Sequence, residues 1–470
     1  MGQEIADSHF SEEDFAAFRA RLEAETELLG RWFREGGLAD HQAMGGFELE
    51  AWLVDEAGRP APLNEPFLER LAQPLVVPEL ARFNVELNGT PQRLVGTPLS
   101  ALYDELCRTW GRCNRVAAGL GARMCMVGIL PSLRHTDLEM ANMSPMRRYR
   151  ALNEQVFRLR RGAPVVLDIR GRDHLRLRHP DVMLEAAATS FQIHLKVGPE
   201  RAARFYNASK ILSAPMVALS ANSPYLFGHD LWDETRIPLF EQAVAVGGSD
   251  YSQRVTFGIR YAERSLFECF EANRDRYPIL LPRLMDEPLE RLPHLRLHNG
   301  TIWRWNRPLV GFDADGRPHL RIEHRVAPAG PTPADAIANA AFYFGLVADL
   351  AEGDPPPERR LDFAVAQQNF YAAARDGLDA RLTWTDGARG DAASLLAERL
   401  LPQAARGLRR LGLDGREIEH WLGILRGRVE SRHNGAGWQR AWVARHGAAM
   451  QALTLDYIGH QESGMPVHQW

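Results

Sequence analysis

Four short segments carry polar residues at alternate positions: Glu48 and Glu50 in GGFELEAWLVD, Glu86 and Asn88 in RFNVELN, Gln192 and His194 in TSFQIHLKV, and Arg321, Glu323 and Arg325 in HLRIEHRV. In extended backbone alternate side chains share a face, so each set is carried on one side of a strand. Taken singly, each reads equally as solvated sheet surface with cross-strand ion pairs of small value, and a lone His194 as a hydrogen-bonded structural histidine. Together they suggest a site. Carboxylates at i,i+2 lie roughly 7 Å apart along a strand, and burying them without cations raises their pKa values and costs stability. Hard divalent ions such as Mg²⁺ remove that cost and keep coordination positions for water and phosphate oxygens. Arg321 and Arg325, on the face of Glu323, add forked donors that recognise phosphate or carboxylate bidentately. Metals plus arginines describe a phosphoryl-transfer site that needs no glycine-rich loop.

No familiar nucleotide or nucleophile motif competes with this pattern. The chain lacks GxxxxGK[ST], a GxGxxG after a strand, GxSxG and HExxH. His294 and His298 have i,i+4 spacing, but Pro293 before them and the Asn299-Gly300 turn after them argue against a helical metal site.

The elements that must position these residues follow from periodicity. Ser11 to Glu35 reads as an amphipathic helix, with Ser11 and Asp14 as an N-terminal cap. From Gly45 to about Val326 the strongest segments alternate with period two: GFELEAWLV, RFNVELN, RMCMVGIL, APVVLDIR, TSFQIHLKV, GTIWRWN and HLRIEHRV. Helical stretches such as Ser100–Leu120 and Pro199–Leu219 lie between them. Strands with one polar face favour an antiparallel or mixed sheet over a doubly wound parallel one. After APAGPTP, helices are expected at Ala334–Leu350, Leu361–Arg375, Ala393–Leu411 and Arg416–Leu425, separated by EGDPPPE and the polar TWTDGARGD. The expected division is an N-terminal helical segment over 1–40, a catalytic domain over 41–352, and a helical region over 353–470 packed on it.

Composition adds limits. The 470 residues, 45% hydrophobic and 25% charged, are ordinary globular material, and a formal charge of −4 gives no electrostatic reason to expect nucleic acid or an anionic membrane as partner. The cluster Arg158, Arg160, Arg161 reads as a solvated face. Only Lys196 and Lys210 are lysines. Cys107, Cys113, Cys125 and Cys269 form no CxxC or metal spacing, which fits a reducing cytoplasm. The acidic N-terminus has no n-region or h-region, Ala6 stands where a myristoylation signal wants Ser or Thr, and no run of about 18 apolar residues suggests a membrane span.

RIEHR, Arg321 to Arg325, is similar to the Arg-x-Glu-x-Arg strand of the glutamine synthetase superfamily. GGFELE, VELN and FQIH, followed by SANSP and HNGTIWRWNR, resemble the bacterial carboxylate–amine ligases grouped as type 2 glutamate–cysteine ligases. The resemblance runs from about Gly45 to Leu350 in matching order. It implies an α+β, glutamine synthetase-like fold: a curved antiparallel sheet whose concave face holds two or three Mg²⁺ or Mn²⁺ ions between ATP and an acidic substrate, with helices packed outside. By the same resemblance Glu48, Glu50, Glu86 and Glu323 match metal-binding glutamates. Gln192 and His194 match the Gln-x-His position near metal and nucleotide. Arg321 and Arg325 match the arginines facing the transferred phosphate, so that Arg321, Glu323 and Arg325 form the catalytic set. Arg304, Arg307 and Arg236 are candidates for phosphate or substrate carboxylate, though strand parity sends Arg304 and Arg307 to opposite faces. Arg148 and Tyr149 in SPMRRYR, with Asn88, are candidates for the amino-acid pocket; SPMRRYR reads equally as a helix start. Phe191, Lys196 and His324 depart from the expected pattern.

The reaction implied is ATP-dependent ligation. A carboxylate oxygen is a poor leaving group, so ATP converts the carboxylate to an acyl phosphate and an amine displaces the phosphate. The partners expected are a glutamate-like carboxylate and an amine such as cysteine or another amino acid; homo-oligomerisation is left open. The competing readings are a metal-dependent amide hydrolase and a non-catalytic metabolite-binding protein on the same sheet.

Overall fold

A computed structural model describes residues 10–40, 43–247 and 253–470. The residues before Phe10, on which the myristoylation reading rested, lie outside them. The alternating segments assemble into one eight-stranded sheet: β1 (Met44–Asp55), β2 (Val76–Pro78), β3 (Asn84–Asn88), β4 (Gln92–Arg93), β5 (Ala122–Cys125), β6 (Phe191–Val197), β7 (Asn306–Phe312) and β8 (Pro318–His324). Its path is β7-β8-β6-β1-β3-β2, with β4 and β5 also paired to β1, and every pairing is antiparallel. The sheet curls into a half-barrel.

Parity sorts the two faces. Phe47, Leu49, Ala51 and Leu53 of β1, with Phe191, Ile193, Leu195, Leu320 and Ile322, join a core cluster together with residues of the helices Ala202–Ser220 and Pro333–Ala351. The opposite face of β1 carries Glu48 and Glu50. Farther along that face Trp52 stacks on Phe83 at 5.5 Å and donates its indole N–H to Thr189 Oγ1 at 3.0 Å. The helix Pro333–Ala351 is apolar enough to cross a membrane by composition, yet 94% of that window is buried within the fold, so it is a core helix.

The N-terminal helix spans Glu12–Glu35 behind the expected cap, in which the Ser11 hydroxyl accepts from the Asp14 N–H at 3.2 Å and the Asp14 carboxylate accepts from the Ser11 N–H at 2.8 Å. Glu25 fixes it to the body of the protein: one carboxylate oxygen meets His294 Nδ1 at 2.6 Å and the other accepts the Leu295 N–H at 2.7 Å. The C-terminal helices pack on the core helix. Gly345 and Gly407 cross so closely that a Cβ on Gly407 would lie 1.8 Å from the Gly345 carbonyl oxygen. The buried guanidinium of Arg428 pairs with Asp335 at 2.7 Å and donates to Asn339 Oδ1 at 2.8 Å.

Several elements differ from the sequence expectation. GTIWRWN is not a strand: Pro293–Gly300 is helical, a loop follows, and β7 begins at Asn306. Pro293 is tolerated because it occupies the first helical turn, where its missing N–H would have no partner anyway. His294 and His298 are therefore on a helix after all, but they are structural, one bound to Glu25 and the other to the Asn273 carbonyl. VVLDIR pairs with His174–His179 in a separate hairpin, so it does not join the main sheet. TWTDGARGD closes a short hairpin between Arg381–Thr383 and Arg389–Asp391. Two further helices, Gly435–His446 and Met450–Glu462, follow the last one expected.

Candidate functional site

The register of the sheet brings the four polar sets side by side. Glu50 lies opposite Glu86, Glu48 opposite both Asn88 and Gln192, and Glu323 opposite both His194 and Arg307. They open onto a cavity of about 250 Å³ whose lining includes Glu48, Glu50, Glu86, Gln192, Glu323 and Arg325. Arg307, Arg321, Arg148 and Tyr149 also belong to its wall.

Within this set His194 is central. Its Nε2 is buried without a hydrogen-bond partner among the described residues, 3.4 Å from Glu48 Oε1 and 4.0 Å from Glu323 Oε1. One ligand atom from each of the three residues lies within 4.8 Å of the others. Glu323 is also clasped by arginine: Arg307 donates to both of its oxygens, at 2.8 and 2.9 Å, and Arg325 donates to one at 3.0 Å. Burial opposes its charge, but Arg307, Arg325 and His194 outweigh burial and hold it well below the ordinary carboxylate range. Glu48, opposed by burial in the same way, is brought to about 2 by His194.

The neighbouring carboxylates behave oppositely. Burial and then Glu79 raise Glu50 to about 7, although Arg325 and the Ser190 N–H bound to its carboxylate act to lower it. Burial, Glu48 and Glu79 raise Glu86 well above its usual range. Burial and repulsion among carboxylates that share one space thus outweigh the arginines near Glu50. Hard oxygen donors at this density, plus an imidazole nitrogen without a hydrogen-bond partner among the described residues, fit a hard divalent cation.

Two members of the cluster escaped sequence reasoning. Glu79, just after β2, and Glu185, in the short helical turn Val182–Ala187, both line the cavity. Burial, then Glu79 and Glu50, raise Glu185 to about 8. Each is the single charge in an apolar run, PLVVPEL and VMLEAAA, and that was the available signal.

Not every expected residue arrives. Arg304 faces away, as parity allowed for one of the pair: its guanidinium donates to Asn273 Oδ1 at 2.7 Å and lines a different cavity. Arg236 is absent from the main cavity. Its side chain is 2% exposed, and its donors go to Glu234 at 3.1 Å and to the Arg325 and Val326 carbonyls, so it braces the β8 end instead of receiving substrate. Asn88 sits beside the cluster and donates to Glu86 Oε1 at 3.0 Å. Arg148 and Tyr149 start the helix Arg147–Leu159, as one reading of SPMRRYR expected, and also face the cavity; Arg148 donates to the Tyr149 hydroxyl at 2.7 Å. The departures have local causes. Lys196 is neutralised by Asp313 at 2.6 Å, Phe191 packs on Phe47 in the core, and His324 is buried against Tyr343 with Nδ1 at 2.7 Å from Asn306 Oδ1.

A curled antiparallel sheet with carboxylates and arginines gathered on its polar face is what the resemblance to the carboxylate–amine ligases implied, and comparison with known proteins agrees. Residues 44–455 match the family model described as glutamate-cysteine ligase family 2. The chain belongs to that family and is an ATP-dependent carbon–nitrogen ligase. The match takes in most of the C-terminal helical region as well as the sheet. Two proteins of Rubrobacter xylanophilus are similar. "Putative glutamate--cysteine ligase 2-1" is 26% identical over 393 residues, 81% of this chain and 85% of that protein. Its namesake 2-3 is 27% identical over 372 residues, 77% of this chain and 82% of that one. The crystal structure of a Francisella tularensis glutamate–cysteine ligase in complex with AMP shares the fold, with a TM-score of 0.55, 12% identity and 90% of each chain covered.

Proposed function

We propose that the protein joins the carboxylate of a glutamate-like amino acid to an amine through an acyl phosphate, forming an amide of the γ-glutamyl type. The convergence of Glu48 and Glu323 with Arg307, Arg321 and Arg325 on one cavity, with His194 beside the two carboxylates, carries this reading. Glu48, Glu50, Glu86, His194 and Glu323, with Glu79 and Glu185 added, would hold Mg²⁺ or Mn²⁺. When bound, such ions neutralise phosphate charge.

The chain's own residues supply the rest. Arg321 lines the cavity with a buried Nε that has no partner among the described residues, which suits it to an incoming phosphate oxygen. Arg325 is held by Gln192 and Glu323, so its fork is already oriented before a substrate arrives. Arg307, doubly bonded to Glu323, keeps that carboxylate ionised and in place. Arg148 and Tyr149, at the other side of the cavity, would receive the amino-acid substrate. The apolar walls, Leu80, Leu152, Leu281 and Leu297 among them, would keep water from a hydrolysable intermediate. Four free thiols suit a reducing cytoplasmic setting.

A screen of amino-acid pairs with Mg²⁺ and ATP, followed by ADP release and mass spectrometry of the product, tests the proposal. The expected result is ADP formed in step with a dipeptide-like amide containing a glutamate-like acid. Amide turnover without ATP, or an absence of ADP with every pair, would sink it.

A further inference from the structure

We infer that a second cavity, separated from the catalytic one by the helix Phe267–Arg276, binds a small anion carrying a carboxylate or phosphate group. This cavity measures about 270 Å³ and has Tyr206, Lys210, Cys269 and Arg304 in its wall. The dividing helix turns Cys269 toward it and Phe270 toward the catalytic cavity.

Two cations that face this space form no ion pair among the described residues. Lys210 is 2% exposed, its ammonium donates to the Phe257 carbonyl at 2.6 Å and lies 4.9 Å from the Tyr206 ring, and it has no ion pair among the described residues. Arg304 donates to the neutral Asn273 side chain and stacks over Tyr277 at 5.7 Å, again with no ion pair among the described residues. A buried cation with only neutral partners is costly, and an anion seated between two such groups removes the cost. Burial, then the charge of Arg304, brings Lys210 down to about 7.

The surroundings favour the same class of ligand. Five cationic residues line the cavity against three acidic ones; Arg260 pairs with Glu268 at 2.7 Å, Arg264 lies 3.9 Å from the same carboxylate, and Asp275 is paired with Arg274 at 2.7 Å, which leaves Lys210, Arg276 and Arg304 against Glu271. Exposed Arg264 and Arg276 stand at its edge. Gly258, with φ of +103°, passes beside Lys210 so that a Cβ there would lie 2.8 Å from Nζ, and any larger residue would press on the ammonium. The ammonium provides a point charge and the guanidinium a fork, a pair suited to one phosphate or one carboxylate.

Isothermal calorimetry on the full chain, with inorganic phosphate and with succinate as probes, tests this site. Binding of at least one probe is expected in the millimolar range or tighter, weakened about tenfold or more by Lys210→Met and by Arg304→Gln and retained in Arg321→Gln of the catalytic cavity. Which probe binds more tightly distinguishes phosphate from carboxylate as the natural group. Circular dichroism checks that each variant is folded, and Arg276→Ala at the exposed edge, expected to weaken binding severalfold, serves if Lys210→Met does not fold. Loss of binding in Arg321→Gln alone, equal binding in all variants, or no binding of either probe to the unsubstituted protein at about 20 mM would overturn the inference. Because the readout is binding without ATP, failure here leaves the ligase reading intact, and failure of the ligase screen leaves this site untouched.

Discussion

Replacing Glu50 by glutamine mimics the protonated form toward which burial and Glu79 shift it. The variant is therefore expected to keep its stability to within about 1 kcal/mol in metal-free buffer, measured by urea unfolding, while ADP release falls on the order of 100-fold or more. Glu323→Gln differs, because it strands the two arginines that its carboxylate pairs. It should abolish turnover and also cost about 3 kcal/mol, so its urea midpoint separates it from Glu50→Gln. Arg325→Lys should lower kcat about 100-fold, since an ammonium cannot hold Gln192 and Glu323 with the geometry of the fork. The carboxylates also set a pH dependence. Glu50 near 7 and Glu185 near 8 stand above the ordinary value of 4.5, so the folded protein holds protons that the unfolded chain releases. Their contribution to stability is present at low pH and is lost as pH rises through about 7 to 8. With EDTA, the melting temperature should fall between about pH 5.5 and about pH 8.5, and millimolar Mg²⁺ should flatten that fall. An Mg²⁺-independent melting curve would count against the metal assignment.

At the scale of elements, the crossing of Pro333–Ala351 with Leu401–Leu411 depends on two glycines. A Cβ on Gly407 would meet the backbone of Gly345 and Asp349, with no flexible side chain among its nearest atoms to move aside. Gly407→Ala raises helix propensity yet should destabilise by about 1–3 kcal/mol, because the methyl group can be fitted only by pushing the helices apart. A denaturation midpoint that rises would show that the crossing is looser than described. Element types were legible wherever the period was clean. GFELEAWLV, TSFQIHLKV and HLRIEHRV are strands because one apolar face packs on helices and one polar face lines the cavity. GTIWRWN alternates equally well but is not a strand: its Trp305 is buried against Phe240 and Phe370, and the helix Pro293–Gly300 absorbs the residues before it. Tertiary packing there overrides a local β preference.

For the whole molecule, the helical region expected after residue 352 packs on the core helix before it. The core helix before it is buried along nearly its whole length, partly by Leu401–Leu411 and Gly415–Glu430 after it, and Arg428 is bound to Asp335 across the divide. We propose that 41–352 and 353–470 fold as one unit. A chain ending at Glu352 should be insoluble on expression where the full chain elutes as a defined species in size-exclusion chromatography. A soluble truncated chain with a cooperative melt would restore an independent catalytic domain.

The sequence by itself determined the polar faces. Strand periodicity obliges Glu48 with Glu50, Gln192 with His194, and Arg321 with Glu323 and Arg325 to point one way, whatever the sheet order. It also identified the resemblance to the ligase family that the match over residues 44–455 bears out. Tertiary structure alone decided which arginines reach the cavity. Arg304 and Arg307 sit three residues apart, and only the loop before β7 sends one to Glu323 and the other to Asn273. Arg236 was indistinguishable from a substrate arginine until Glu234 and two carbonyls were seen to occupy it. Glu79 and Glu185 lie in segments with no repeating period, so nothing local aims their side chains. Long-range packing places them beside Glu50, because a carboxylate's surroundings depend on neighbours that are distant in the chain.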